Sequence, residues 1–125
     1  MKTVEDLMTR DPGWLGPEDT IETAWRKMRE HSVRHIPVCK DGRLVGLLTQ
    51  KDLLANAQKQ SILTFPVAEI MVMDVESIEA DMSLRDAAIV MKDKKLSCLP
   101  VIKDGQLAGI VTDTDYLALV IDLLE

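Results

Sequence analysis

The sequence predicts an α+β fold built from two tandem β-α-β-β-α repeats, each a three-stranded sheet with two helices on one face. Three observations carry this. The stretch His35–Asp52 returns as Cys98–Asp115, sixty-three residues later and without a gap. Laid over one another, Val4–Ala55 and Val67–Ala118 share sixteen identities in fifty-two positions, and many mismatches exchange one apolar residue for another. Each copy also carries an amphipathic helical pattern followed by two apolar runs joined by Lys-Asp-Gly. A period this long is a small domain-sized unit used twice rather than one solenoid element. The boundaries read as a first repeat over 1–57, a connector over 58–66 and a second repeat over 67–125. Two copies, each too small for a full core, are expected to pack about a pseudo-twofold axis as one compact module. The cleft between them is then the first place to look for a ligand.

Each element has a local cause. A short apolar turn (Val4, Leu7, Met8; then Val67, Ile70, Met71) leads to a brief extended piece around Trp14-Leu15 or Ser77-Ile78. Ile21, Ala24, Trp25 and Met28 then fall at helical spacing, and Leu84, Ala87, Ala88 and Met91 match them. Thr20 and Ser83 stand at the N-cap position, and Ser83 with Asp86 reads as a capping box. Lys-Asp-Gly between two apolar runs is the strongest hairpin signal in the chain. Leu44–Leu48 is apolar on both faces, as a buried central strand is. Thr49-x-x-Asp52 and Thr112-x-x-Asp115 open the last helix of each repeat. The final helix has almost no polar face: Leu117, Ala118, Leu119, Val120, Ile121, Leu123 and Leu124 surround it, so burial on all sides is expected.

Composition narrows the function. The net charge is −6 over 125 residues, split as +1 over residues 1–63 and −7 over 64–125. An acidic total with few aromatics argues against nucleic acid, which needs a basic face and stacking platforms. The longest apolar run, Tyr116–Ile121, is far short of the roughly 20 residues of a membrane span, so no membrane partner is expected. Met1-Lys2-Thr3-Val4-Glu5-Asp6 lacks the apolar stretch of a signal peptide. Cys39 and Cys98 are not at equivalent positions, which excludes a repeat-symmetric disulfide or metal site. A cytoplasmic location is expected.

The Gly-x-x-Thr-x-x-Asp at 46–52 and 109–115 has two readings. As local structure it is a strand-to-helix turn, with Thr as N-cap and Asp against the helix dipole. As a site it is a nucleoside holder, because a carboxylate at a helix start accepts two hydrogen bonds from a ribose diol. A cap can also be a ligand group. His31 and His35 have helical metal-ligand spacing, but they span a predicted helix end without a second pair of ligands, so no metal is expected. Neither cysteine has a base at the equivalent strand position to make it a nucleophile. The matched methionines Met8/Met71 and Met28/Met91 read as core.

The doubled pattern resembles a tandem pair of cystathionine-β-synthase (CBS) domains. Its elements are the Leu-Met or Ile-Met lead-in, the Thr/Ser-capped helix, x-x-Pro-Val, Asp-Gly, and Gly-h-h-Thr-x-x-Asp, where h is apolar. The resemblance covers roughly Val4 to Leu119. It implies a stand-alone, non-enzymatic regulatory module that binds an adenosine-containing ligand (AMP, ADP, ATP or S-adenosylmethionine, with AMP or ATP favoured) in the inter-repeat cleft. The nucleotide would be a regulatory ligand rather than a cofactor. Asp52 and Asp115 would hold ribose hydroxyls, with Thr49 and Thr112 beside ribose or phosphate. Backbone near Ile36 and Leu99 would line the adenine. Arg34 and His35 occupy the place where family members that bind phosphorylated ligands often carry basic side chains, and Ser97-Cys98 stand there in the second repeat. Arg34 offers a fixed fork of donors suited to phosphate. CBS pairs usually join through apolar helices, which implies a homodimer and, beyond it, a regulated protein. The rival reading is a structural dimerisation module whose cleft stays empty; an enzyme is the third and weakest, because no acid–base or nucleophile pair is placed for turnover.

Overall fold

The computed structural model describes residues 3–58 and 61–124. Its elements are α1 (Val4–Leu7), β1 (Thr9–Arg10), α2 (Ile21–His31), β2 (His35–Lys40), β3 (Arg43–Thr49), α3 (Gln50–Ala55), β4 (Ile78–Glu79), α4 (Leu84–Lys94), β5 (Cys98–Lys103), β6 (Gln106–Thr112) and α5 (Asp113–Leu123). Short 3₁₀ turns over Ile62–Thr64 and Val67–Glu69 carry the chain from α3 toward β4. Lys59 and Gln60 of the connector lie outside the described residues, as do Met1, Lys2 and Glu125.

The two compact units are not the two sequence repeats. The first unit spans residues 13–75, and the second joins residues 3–12 to 76–124. Each repeat lends its lead-in to the unit that holds the other repeat's hairpin. In the second unit β5 and β6 form an antiparallel hairpin, β4 lies parallel to β5, and β1 pairs antiparallel with β6 through Thr9–Ile110 and Arg10–Gly109. The order is β1-β6-β5-β4. The first unit repeats this around the β2–β3 hairpin, with a parallel bridge Leu15–Val38 in the place of β4 and an antiparallel bridge Leu47–Val72 in the place of β1. The three-stranded sheet expected of the second repeat therefore gains a fourth, borrowed edge, while the first repeat's hairpin is a two-stranded sheet with a single bridge on either side.

The hairpins turn as their sequence asks. Asp41-Gly42 and Asp104-Gly105 both have positive φ, near 54° and 78°, which gives the primed turn that matches strand twist. A register shift falls at the same place in each hairpin, between Val38 and Cys39 and between Val101 and Ile102. Helix starts follow the capping rules with one correction. The Thr20 and Ser83 hydroxyls accept from the N–H of Thr23 and Asp86, but Ser83 and Asp86 form only this one arm of the expected box. Ile21, Ala24 and Met28 pack with Leu15, Val38 and Leu48 in the first unit; Ala87 and Met91 pack with Leu99, Val101 and Val111 in the second.

The exchange leaves its mark on two glycines. A Cβ at Gly109 would lie 2.5 Å from the Thr9 carbonyl oxygen, and one at Gly46 would lie 2.5 Å from Met71 Sδ. These are the glycines that open Gly-x-x-Thr-x-x-Asp, and the lead-in of the other repeat crosses each of them. α5 departs from expectation: it has no fully buried residue in this chain, and Leu117, Val120, Ile121 and Leu123 are exposed.

Exchanged lead-ins predict the behaviour of a nicked chain. The connector lies inside the first unit, so a cut at 59–60 leaves two pieces, each of which contains part of both units. With a protease site in place of Lys59-Gln60, the pieces should co-elute after cleavage and part only in denaturant. Separation under native conditions would contradict the exchange.

Candidate functional site

In the first unit the hairpin register places His35 opposite Thr49 and Ile36 opposite Leu48. The Gln50 N–H donates to the Arg34 carbonyl at 2.8 Å. The start of β2 and the start of α3 are thereby fastened together, which gathers Arg34, His35, Ile36, Thr49 and Asp52 at one end of the hairpin. The second unit repeats the arrangement: Cys98 lies opposite Thr112, Leu99 opposite Val111, and the Asp113 N–H donates to the Ser97 carbonyl at 3.0 Å. Leu99, Thr112 and Asp115 are gathered in the same way. Each unit holds one candidate half-site of the same build.

The capping reading of Thr-x-x-Asp is correct in both units. Thr49 Oγ1 accepts from the Asp52 N–H at 3.1 Å, and Asp52 Oδ2 accepts from the Thr49 N–H at 3.2 Å and from its hydroxyl at 2.7 Å. Asp115 Oδ2 accepts from the Thr112 N–H at 2.8 Å, and Thr112 Oγ1 accepts from the Asp115 N–H at 3.3 Å. The cap uses one carboxylate oxygen. Oδ1 of Asp52 and Oδ1 of Asp115 have no hydrogen-bond partner among the described residues, and both side chains are only partly buried. The cap fixes the carboxylate and leaves an acceptor free, so the two readings use different atoms.

The other residues divide by exposure. Ile36 and Leu99 send their side chains into the cores, so only their backbone is open to a ligand. Arg34 is exposed and has no ion pair among the described residues. His35 is half-buried at the start of β2. His31 ends α2, and the left-handed Ser32 then turns the chain, so His31 and His35 do not keep the helical spacing of a metal pair. Burial, with smaller effects from Asp115 and Asp113, pushes the Cys98 thiol up to about 12. Burial also raises Cys39. Both thiols are protonated at neutral pH and are poor nucleophiles. Sequence reasoning missed the Ser97–Asp113 and Arg34–Gln50 backbone contacts, and the crossing of each lead-in over its glycine. The doubled glycine at matched positions was the available signal.

The CBS domain family profile matches residues 4–59 and 67–122. The chain belongs to the CBS domain family. It is 37% identical over 113 residues to the CBS domain-containing protein YhcV of Bacillus subtilis, covering 89% of this chain and 80% of that protein. It is also 34% identical to the inosine-5'-monophosphate dehydrogenase of Korarchaeum cryptofilum, of which it spans 24%. Among solved structures, a putative acetoin utilization protein (AcuB) of Vibrio cholerae superposes with a TM-score of 0.91 at 37% identity, covering 99% of this chain and 93% of that one. CBSX2 in complex with AMP gives 0.88 at 27% identity with both chains fully covered. The CBS domain pair of MJ0100, in complex with 5-methylthioadenosine and S-adenosyl-L-methionine, gives 0.87 at 26% identity and 97% of both. This chain is thus a tandem CBS pair, and as such a regulatory module in kind. No helix among its described residues is long and apolar enough to cross a membrane.

Proposed function

We propose that this CBS pair is a non-enzymatic sensor that binds adenosine-containing ligands, AMP or ATP first among them, through half-sites built on Asp52 and Asp115. The observation that carries the reading is the pair of capped aspartates at matched positions, each held by one oxygen and open at the other. A ribose diol supplies the two donors such a carboxylate takes. The ligands of CBSX2 and MJ0100 fit this reading, since all three contain adenosine. The mechanism is linkage: a ligand that prefers one arrangement of the protein shifts the population toward it, and so alters assembly or affinity for a regulated protein.

The partner of first resort is a second copy. Leu117 and Val120 of α5 border a shallow groove of about 360 Å³ against Ala88 and Met91 of α4 and Leu96 just beyond it; Tyr116 also lines the groove, and its hydroxyl donates to the Leu84 carbonyl at 2.8 Å. Beyond the groove Ile121 and Leu123 are 68% and 74% exposed. So much apolar surface on one helix supports an interface. A monomer in sedimentation at micromolar concentration would overturn the homodimer. The structural reading, a dimerisation module without ligand, draws on this same helix.

A thermal-shift panel of AMP, ADP, ATP, NAD and S-adenosylmethionine separates the two readings. A ligand at 100 times its Kd adds about 2.7 kcal/mol to stability, a rise of several degrees for a chain of this size. Asp52→Asn with Asp115→Asn should abolish the rise and leave the unliganded melting temperature nearly unchanged, because the Asn amide oxygen still accepts from the N–H of the capping Thr. No rise with any of the five would leave the structural reading.

A further inference from the structure

The two half-sites are built alike and charged oppositely. In each unit the residue ahead of the Pro-bearing strand is bonded through its carbonyl to the N–H of the residue that opens the next helix. In the first unit the pair is Arg34 and Gln50, at 2.8 Å; in the second it is Ser97 and Asp113, at 3.0 Å. That shared bond roots the two side chains side by side in both units. The first pair brings a cation and a neutral amide, the second a hydroxyl and an anion. The following position changes in the same sense, from Lys51 to Thr114. Asp113 is partly buried, and its Oδ1 accepts from the Thr114 N–H at 2.8 Å, which holds the carboxylate at the start of α5.

We propose that Asp113 sets the ligand class of the second unit's half-site: it rejects 5′-phosphates and takes nucleosides whose 5′ substituent is neutral or cationic, such as a thioether or a sulfonium. The first unit's half-site takes the phosphorylated nucleoside. This rests on the nucleotide reading above and adds a division of labour to it. A phosphate carries about −1.5 to −2 at neutral pH. Beside Asp113, with no cation at positions 97, 98 or 114, that charge meets repulsion, whereas a sulfonium there is attracted. Asp115 is matched by Asp52 and cannot discriminate between the half-sites; Asp113 has no acidic counterpart.

Isothermal titration of the full chain with AMP, adenosine and S-adenosylmethionine tests this on wild type, Asp113→Asn and Gln50→Asp. Asn keeps the acceptor for the Thr114 N–H and leaves the Thr112–Asp115 box intact, so the fold is retained. Wild type should show one tight AMP event per chain and a second that is weak or absent. Asp113→Asn should strengthen the second AMP event about tenfold, leave adenosine within about twofold, and weaken S-adenosylmethionine. Gln50→Asp should weaken the first AMP event. Two equal AMP events in wild type, or parallel changes for AMP and adenosine, would overturn the assignment and leave the nucleotide reading standing. Failure of all three ligands to bind any of the proteins would overturn both.

Discussion

Alanine at Gly109 is expected to destabilise the chain by about 2–3 kcal/mol, and alanine at Gly46 by less. Neither glycine has positive φ, so neither needs glycine for its backbone conformation. In an open strand the change to alanine would help, because alanine loses less conformational freedom on folding. The cost comes from what crosses above. At Gly109 the obstacle is backbone: the Thr9 carbonyl oxygen 2.5 Å from the new Cβ, with Met8 Sδ at 2.8 Å behind it. β1 is bonded to β6 at this residue, so relief means lifting the lead-in off the sheet. At Gly46 the nearest atoms are Sδ and Cγ of Met71, which rotate, and the Val72 carbonyl oxygen sits farther off at 3.1 Å. Trimming the methionine should therefore rescue one variant and not the other. Urea denaturation of Gly46→Ala with Met71→Ala should show a coupling of about 1 kcal/mol, and Gly109→Ala with Met8→Ala almost none. A neutral or stabilising Gly109→Ala would mean the lead-in does not cross there.

These glycines show where sequence reasoning stopped. Their identity and spacing are plain from the repeat, and Gly-x-x-Thr-x-x-Asp reads as a strand-to-helix turn with a capping Thr, which it is. What the repeat could not show was whose lead-in packs on the glycine. A pattern repeated every sixty-three residues is unchanged whether each copy keeps its own first segment or trades it, since equivalent residues meet equivalent partners either way. Hairpins and caps were legible because their causes lie within four residues: Asp-Gly for the turn, Thr-x-x-Asp for the helix start. Of the candidate site, the caps were legible in the same measure: the Thr49–Asp52 and Thr112–Asp115 boxes are local devices and form as expected, while the Ser97–Asp113 contact joins residues sixteen apart and needed the fold. The apolar surround of α5 was visible as a pattern, but the inference of burial on all sides assumed a cover that the described residues do not provide.

Arg34→Ala is expected to weaken AMP binding by roughly ten- to a hundredfold and to leave adenosine nearly unchanged. Arg34 stands one residue before β2, with its carbonyl tied to Gln50, so its side chain starts beside the residue that opens α3. The side chain is exposed and engages no carboxylate among the described residues. A phosphate therefore need not displace an existing ion pair. The guanidinium carries a permanent charge and a planar fork of donors that matches phosphate oxygens. A charge-assisted contact of this kind is worth about 1.5–3 kcal/mol, which is the stated range of affinity. The second unit cannot compensate, because Ser97 and Cys98 stand where Arg34 and His35 stand in the first, and the Cys98 thiol stays protonated and buried. Adenosine has no phosphate for the arginine to read, so its affinity reports only on the shape of the half-site. Added salt should narrow the gap between the two ligands in wild type, since screening acts on the phosphate contact and not on adenosine. Titration of wild type and Arg34→Ala with both ligands, at low and at physiological salt, measures each quantity. Equal losses for AMP and adenosine would make Arg34 a wall of the pocket. A liganded structure with phosphate beside Ser97 and none near Arg34 would refute the assignment outright.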